Sequence, residues 1–324
     1  MLVRRATLCT LAALVLIAVA AEGQAKSGTP ITACGQVVTT SAFLTGDLSC
    51  AGMGGVVVGA SGITIDLKGF SLRGDGSHYG IDDNDGFDGV KVENGVLRNF
   101  QRGVHAANGA DKLALSDVVV AGSTGFGAYV DGDSVVVKSS TFAGNGADGI
   151  EIVGTSASVR ASTAVGNQGE GLFLFGASAS VASTTASGNA HSGVAVLGNG
   201  AVVRLSTFSG NRENGIEVDG NSATVKSSIL SGNTFEGISI SGDSASVSSS
   251  GASGNGAGGV LVIGDAAQIK GNRAEADGFS GGAADGAGLG IEVPNASLMT
   301  TPPVGTNVAR GNDDSSECNP LWLC

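Results

Sequence analysis

Hydrophobic and polar residues alternate over short segments of the chain, and these segments return at a fixed spacing. In residues 149–154 (GIEIVG), Ile150 and Ile152 alternate with Glu151 and Val153 between two glycines. A period of two is typical of β-strands. Because similar segments recur with a 22-residue period and no helical pattern between them, the sequence predicts a solenoid whose successive turns pair in parallel.

Two sets of aliphatic residues keep this spacing and never become polar. The first is a pair of positions in one strand of each repeat, and the second is a single position in the following strand. Successive side chains of a strand point to opposite faces, so both sets are predicted to point into the core. They comprise Ile150/Ile152, Leu172/Leu174, Val194/Val196, Ile216/Val218, Ile238/Ile240 and Val260/Val262, and then Val137, Val159, Val181, Val203, Val225, Val247 and Ile269.

An asparagine preceded by a glycine also returns once in every repeat. Both residue types tolerate the backbone angles of tight bends, and asparagines stacked in successive turns can hydrogen-bond through their amides. We therefore interpret these asparagines as a structural ladder. They are Asn145, Asn167, Asn189, Asn211, Asn233 and Asn255.

The N-terminus has the features of a secretory signal peptide. Arg4 and Arg5 precede an apolar stretch at 8–19, which ends in the small-residue run 18–21. No later stretch approaches the roughly 20 apolar residues that span a bilayer, so we expect a secreted monomer with no membrane span. The predicted organisation is a signal peptide at 1–21, an N-terminal cap at 22–55, β-helix repeats at 56–275 and a C-terminal cap segment at 276–324.

Composition limits both the core and the partners. The 324 residues include 55 glycines but one tryptophan and two tyrosines, which indicates a thin core built turn by turn. A net charge of -12 argues against nucleic acid, whose binding depends on phosphate neutralisation by Lys and Arg. A basic column is either a patch for an anionic glycan or a solvated face whose like charges prevent sheet association; it contains Lys138, Arg160, Arg204, Lys226 and Lys270.

Two N-terminal segments and the tail carry a family resemblance. Residues 63–74 (ITIDLKGFSLRG) and 90–100 (VKVENGVLRNF) resemble the opening turns of secreted bacterial proteins with pectin-lyase-like right-handed parallel β-helix repeats, and 307–312 is similar to their C-terminal caps. The resemblance covers about residues 34 to 324. It implies an all-β, right-handed parallel β-helix of about ten 22-residue turns, with function on outward faces and in loops. The family includes lyases, hydrolases, epimerases and carbohydrate binders.

Four cysteines remain once the predicted signal peptide, which contains Cys9, is removed. An even number in an exported chain indicates disulfides. Ten turns at about 4.8 Å each separate the solenoid ends by about 48 Å, whereas a disulfide requires Cα atoms within about 7 Å. The predicted pairs are therefore Cys34–Cys50 and Cys318–Cys324, each within one cap.

One candidate site lies on the outward positions around Phe173. The neighbouring carboxylates could perform acid–base chemistry on a sugar, since glycosidases use paired carboxyl groups, and aromatic rings can pack on sugar faces. The alternative is an ordinary solvated strand surface or a patch covered by the C-terminal segment. The catalytic candidates are Asp148, Glu151, Glu170 and Glu217, and the ligand-binding candidates are Phe173, Phe175, Glu151, Glu217 and Asp219.

A second candidate is the acidic loop at residues 82–88. Dense carboxylate oxygens suit Ca²⁺, which could be held by Asp82, Asp83, Asp85 and Asp88, although the spacing does not match an EF-hand and a solvated loop is the alternative. No other cofactor is expected. The histidines at 78, 105 and 191 belong to no recognisable nucleophile motif.

Two classes of function follow. We expect a non-catalytic secreted protein that binds glycan or serves as a rigid scaffold, because such short turns leave little room for loops that would wall a cleft. The alternative is a polysaccharide lyase, hydrolase or epimerase. An enzyme should show a groove in which two or three carboxylates, or carboxylates and an arginine, converge, whereas flat, scattered charges would exclude it. A lyase would need an arginine base beside calcium-binding carboxylates, for which Arg98 or Arg102 near the acidic loop are candidates that no motif singles out.

Overall fold

The computed structural model describes residues 28–275, 277, 291–292, 307–310 and 318–319. The predicted signal peptide, the pairing of Cys318 with Cys324 and most of the C-terminal cap segment lie outside the described residues. In the described part of the chain, no helix is long and apolar enough to cross a membrane.

The described chain is an all-β solenoid with three faces, which confirms the predicted fold. One face is a 13-stranded parallel sheet, here called face 1. Its strands are β2 (Gln36–Val38), β5 (Val56–Val58), β8 (Tyr79–Asp83), β10 (Arg102–Ala106), β12 (Ala128–Asp131), β15 (Ile150–Val153), β18 (Leu172–Phe175), β21 (Val194–Leu197), β24 (Ile216–Asp219), β27 (Ile238–Ser241), β30 (Val260–Ile263), β33 (Ile291–Glu292) and β35 (Cys318–Asn319).

The other two faces share a 22-stranded sheet in which β9 (Lys91–Arg98) and β11 (Ala114–Ala121) run across both. Face 2 also contains β1 (Thr29–Ile31), β3 (Ala42–Leu44), β6 (Thr64–Asp66), β13 (Val136–Lys138), β16 (Ser158–Arg160), β19 (Ser180–Ala182), β22 (Val202–Arg204), β25 (Thr224–Lys226), β28 (Ser246–Ser248) and β31 (Gln268–Lys270). Face 3 also contains β4 (Leu48–Ser49), β7 (Ser71–Arg73), β14 (Thr141–Ala143), β17 (Thr163–Val165), β20 (Thr185–Ser187), β23 (Thr207–Ser209), β26 (Ile229–Ser231), β29 (Gly251–Ser253), β32 (Arg273–Glu275) and β34 (Val308–Arg310).

The solenoid has about 11 turns, in agreement with the prediction of about ten. It begins within the predicted N-terminal cap, where β1 pairs in parallel with β3 and β2 with β5. The disulfide between Cys34 and Cys50 closes this end, with Cα atoms 5.5 Å apart and 16 residues of separation. Closing a loop of this length contributes about 3 kcal/mol by restricting the unfolded chain.

The core is a stack of thin aliphatic layers. Ile150, Ile152 and Val159 of one turn are fully buried, and each pairs in register with the equivalent residue of the next turn. Burial of each such side chain contributes roughly 1.5–3 kcal/mol. Because a single turn holds few of them, the stability of each turn depends on its neighbours.

A continuous asparagine ladder runs along one corner inside the solenoid. Asn167 Nδ2 donates to Asn189 Oδ1 at 3.0 Å, and the Asn167 backbone N–H donates to the same oxygen at 3.0 Å. The second Nδ2 proton goes to the carbonyl of Phe142 at 3.3 Å. The same pattern links Asn145 to Asn255 through every intervening turn, so buried amides hold successive turns in register.

The glycines flanking this ladder have separate roles. Gly166, just before Asn167, has a φ of 64°, a left-handed conformation that glycine adopts without strain. Gly149 faces the ladder itself, where an added Cβ would lie 2.6 Å from the Gly171 carbonyl oxygen and 2.9 Å from Asn167 Nδ2. The repeated glycines are therefore explained by bending and close packing.

The ladder ends on a carboxylate. Asn255 donates from its backbone N and from Nδ2 to Asp277 Oδ1, at 2.9 and 2.8 Å. Burial raises the pKa of Asp277 from 3.8 to about 6, and the hydrogen bonds from Asn255 only partly oppose this effect.

Replacing an interior ladder residue should destabilise the protein. Asn189→Ala removes the acceptor for two buried donors of Asn167, which costs about 2–5 kcal/mol. We expect a lower urea midpoint. The matched control is Asn199→Ala, which removes an exposed side chain bonded only to the backbone of Asn221 and should change the midpoint much less. Equal effects of the two substitutions would contradict the structural role of the ladder.

Asp277→Asn should stabilise the protein only at high pH. A raised native pKa means that Asp277 favours folding below pH 3.8 and loses this contribution as the pH rises through about 6. An asparagine continues the ladder without a charge, so we expect a gain of about 2–3 kcal/mol at pH 8 and little change at pH 3.5. Thermal unfolding at both pH values measures the difference, and a pH-independent gain would contradict it.

Candidate functional site

Two neighbouring columns of outward side chains on face 1 contain most of the candidate residues. The first column runs through the strands in parallel register: Asp82, His105, Tyr129, Glu151, Phe173, Ala195 and Glu217. The second lies where the chain enters these strands, and its members are aligned by backbone pairing: Tyr79, Arg102, Phe126, Asp148 and Glu170. Together these two columns are called the face 1 strip.

Arg102 is surrounded by three aromatic rings, which come from the turns before and after it. Its guanidinium carbon lies 4.6 Å from the ring centroid of Tyr129, 5.2 Å from that of Phe126 and 5.7 Å from that of Tyr79. Its Nη1 donates to His105 Nδ1 at 2.9 Å. Cation–π contacts of this kind contribute about 0.5–2 kcal/mol, so a positive charge is fixed in place on the outer face of the sheet.

His105 is buried beneath this cluster as a neutral imidazole. Its ring centroid lies 4.2 Å from that of Tyr79, and burial, followed by the charge of Arg102, lowers its pKa from 6.5 to about 4. An arginine can only donate hydrogen bonds, so Nδ1 accepts and Nε2 carries the proton. His105 therefore positions Arg102.

Three carboxyl groups converge on the next turns of the strip. Asp148 is buried and its Oδ1 accepts the backbone N–H of Glu170 at 2.9 Å. Burial, followed by the hydrogen bond and charge of the Glu170 side chain, raises the pKa of Asp148 to about 8. Burial also raises the pKa of Glu151, although Arg102 opposes the effect. A Cβ on Gly169 would overlap Asp148 Oδ1, so a glycine there makes room for the carboxyl group.

The other candidates around Phe173 are further apart. Glu217 lies two turns beyond Phe173, and its Oε2 accepts hydrogen bonds from Ser192 Oγ at 3.0 Å and from Asn214 Nδ2 at 3.3 Å. Phe175, which is 51% exposed, and Asp219 lie two turns apart in a further outward column, two residues beyond Phe173 and Glu217 on the same strands. The predicted patch is thus spread over two neighbouring columns and three turns of face 1.

The fold gives the aspartates of the acidic loop different surroundings. Asp82 faces outward beside His105, whereas Asp83 is fully buried and accepts the backbone N–H of Phe87 at 2.9 Å. Burial is the largest cause of the raised pKa of both groups. Asp88 accepts the backbone N–H of Asp111 at 3.1 Å.

The predicted Ca²⁺ ligands are not the residues that have metal-ligand spacing in the described part of the chain. Among the described residues, the one group of three histidine or carboxylate side chains with metal-ligand spacing is Glu170, His191 and Glu213. The four aspartates of the acidic loop are not part of it.

Sequence reasoning did not single out the arginine cluster, because the repeat is irregular there. The step from Tyr79 to Arg102 is one residue longer than the step of the later columns, and the step from Arg102 to Phe126 is two residues longer. The missed signal is the glycine column, since Gly80, Gly103 and Gly127 pair in register and continue the glycines of the later repeats. His191 likewise belongs to no motif that the sequence reveals.

Comparisons with known proteins agree with this architecture. Residues 102–253 match the family model described as a right handed beta helix region. A comparison with curated protein sequences finds no match.

Solved structures with this fold extend over most of the chain. The A-module of the mannuronan C-5 epimerase AlgE4 from Azotobacter vinelandii is 12% identical, with a TM-score of 0.57 and coverage of 83% of this chain and 91% of that one. The periplasmic alginate epimerase AlgG is 12% identical, with a TM-score of 0.54 and coverage of 87% and 76%. The A-module of AlgE6 from Azotobacter vinelandii is 14% identical, with a TM-score of 0.52 and coverage of 87% of each chain. Together with the family match, this likeness establishes a right-handed parallel β-helix of the pectin-lyase-like fold.

The imidazole of His105 should titrate near pH 4. Arg102→Gln should raise the pKa of His105 because it removes an adjacent positive charge, but leave it below 6.5 because burial is the larger cause. NMR titration of the imidazole resonances of the wild type and of the variant measures both values. A wild-type pKa near 6.5 would contradict the buried, arginine-paired geometry.

Proposed function

We propose that the protein is a secreted enzyme that binds an acidic polysaccharide along the face 1 strip and acts on it beside Arg102. The observation that carries this proposal is the convergence of a fixed arginine with Tyr129, Glu151 and Asp148 on one outward strip. Titratable groups with shifted pKa values gathered beside a fixed charge are typical of catalytic sites. The surface of a rigid scaffold needs only scattered charges, so this convergence favours an enzyme.

The shape of the strip suits a linear polymer. From Asp82 in β8 to Glu217 in β24 it crosses seven consecutive strands of face 1, which corresponds to about 29 Å at about 4.8 Å per strand. Tyr79, Phe126, Tyr129 and Phe173 are spaced along it. Aromatic surfaces combined with a few fixed polar groups are typical of ligand sites, and here they would contact successive sugar rings.

Arg102 favours an acidic sugar. A guanidinium pairs with a carboxylate through two parallel hydrogen bonds, and His105 and the three rings hold it in position before the substrate arrives. The chain has a net charge of -12, so this local positive charge is needed for an anionic substrate. The structural neighbours described above are named as mannuronan and alginate epimerases, which supports a uronate polymer.

The arrangement suits removal of a ring proton next to a sugar carboxylate. Arg102 would stabilise the negative charge that develops on that carboxylate, as preorganised charges do at other active sites. Tyr129 and Glu151 pair in register on adjacent turns, and both would be placed to exchange a proton with the sugar. Epimerisation and β-elimination both begin with such a step.

Export completes the proposal. The predicted signal peptide directs the chain out of the cytoplasm, and the Cys34–Cys50 disulfide fits an oxidising compartment. A secreted protein of this kind would meet its polysaccharide outside the cytoplasm.

Activity is tested with purified mature protein on pectic, alginate and neutral polysaccharides, with and without Ca²⁺. Unsaturated products report elimination, new reducing ends report hydrolysis, and NMR of the polymer reports epimerisation. We expect turnover of a uronate polymer. Arg102→Gln should lower kcat/KM by about 10²–10³, and Glu151→Gln by about 10²–10⁴.

The matched control is Lys226→Gln, which removes one exposed positive charge from face 2 and should leave kcat/KM nearly unchanged. Retention on a polymer without turnover would reduce the proposal to glycan binding. Turnover that survives both face 1 substitutions would place the active site elsewhere.

A further inference from the structure

We propose that Glu170, His191 and Glu213 form a binding site for one divalent transition-metal ion of the Zn²⁺ type. The three side chains come from consecutive turns of the solenoid. His191 lies in the middle, with Glu170 of the preceding turn on one side and Glu213 of the following turn on the other. The stacking that creates the face 1 strip thus also creates this cluster.

The ligand atoms are close to metal-binding distances. His191 Nδ1 lies 3.4 Å from Glu213 Oε1 and 3.8 Å from Glu170 Oε1, and one ligand atom from each residue lies within 4.8 Å of the other two. A tetrahedral Zn²⁺ with bonds of about 2.1 Å places its ligands about 3.4 Å apart. Small side-chain rotations are therefore sufficient, because His191 is 49% exposed and Glu213 is 36% exposed.

The donor set indicates the class of metal. An imidazole nitrogen favours Zn²⁺ and related ions over Ca²⁺, which prefers six to eight oxygen ligands. Two carboxylates supply the charge that attracts a dication. Three protein ligands leave at least one coordination position open, as in catalytic zinc sites.

The column that contains His191 and Glu213 offers no other metal ligand in the neighbouring repeats. Gly169 lies one repeat before His191, and Phe235 lies one repeat after Glu213. Ala147 and Ala257 lie one repeat further out on each side. None of these side chains can bind a metal. Uniform surface patterning therefore does not explain why a histidine stands between two glutamates here.

The cluster adjoins the strip, since Glu170 belongs to its second column and directly precedes β18, which contains Phe173. A bound cation there would attract an anionic group of the polymer, at a point removed from Arg102 along the strip. This consequence rests on the proposed function, whereas metal binding itself does not.

Isothermal titration of untagged, metal-free mature protein with ZnCl₂ at pH 7.5 tests the site directly. We expect about one Zn²⁺ per chain, and an affinity at least about tenfold lower for His191→Ala and for Glu213→Gln. His78→Ala removes an exposed histidine outside the cluster and should bind Zn²⁺ like the wild type. Circular dichroism verifies that each variant is folded.

Thermal unfolding supplies a second readout, because a ligand bound only by the native state raises Tm. Zn²⁺ should raise the Tm of the wild type and of His78→Ala but not that of His191→Ala, and an equal concentration of CaCl₂ should not reproduce the shift. Absence of saturable binding, or binding unchanged in His191→Ala, would overturn the site. These measurements use no polysaccharide, so their failure is distinguishable from failure of the proposed enzyme activity.

Discussion

In-register stacking of successive turns is the constraint on which the rest of the structure depends. Each buried asparagine uses both its amide protons and its carbonyl oxygen within the ladder, so a shift by one residue would leave several buried polar groups unsatisfied at about 1–3 kcal/mol each. The aliphatic layers reinforce the same register, since a one-residue slip moves core side chains to the surface. The stability of the protein therefore arises from the stack as a whole, and the Cys34–Cys50 disulfide stabilises its N-terminal end.

The same register determines what can happen on the outside. A side chain on face 1 has its neighbours on the adjacent strands at about 4.8 Å, so residues distant in sequence become adjacent partners. Arg102 gains rings from the turns on both sides, and Asp148 is brought against Glu170. Burial of Asp148 and His105 disfavours their charged forms, and the rigid stack tolerates this cost. The scaffold thus places reactive groups without long loops.

The inward half of the molecule could be predicted from sequence because it is periodic. The aliphatic pair at Ile150 and Ile152, the valine column and the parallel coil follow from the alternation within each strand and from the constant length of the repeat. The arrangement of the outward side chains is harder to predict from the sequence. Glu151, Glu170 and Phe173 were predicted as neighbours and are neighbours, but the burial of Asp148 depends on the missing side chain at Gly169, a packing detail that no spacing reveals.

Arg102 and His105 illustrate a second limit. Their turns are slightly longer than the later repeats, so the columns that unite them with Tyr79 and Tyr129 disappear when the chain is aligned at the period of those repeats. The acidic loop shows a related limit, because the closeness of Asp82, Asp83, Asp85 and Asp88 in sequence does not tell which of them share a face. Side chains alternate along β8, so Asp82 points outward and Asp83 points into the core. Asp88 accepts a hydrogen bond from the backbone of Asp111 in the next turn.

The central claim is that the working surface is the face 1 strip. The most direct measurement is a crystal structure of the Glu151→Gln variant with an oligosaccharide of the polymer that the protein turns over or retains. The account predicts sugar rings along face 1, with a carboxylate on Arg102 and a ring against Tyr129 or Phe173. An oligosaccharide bound instead along the basic column of face 2, with Arg102 uncontacted, would contradict it.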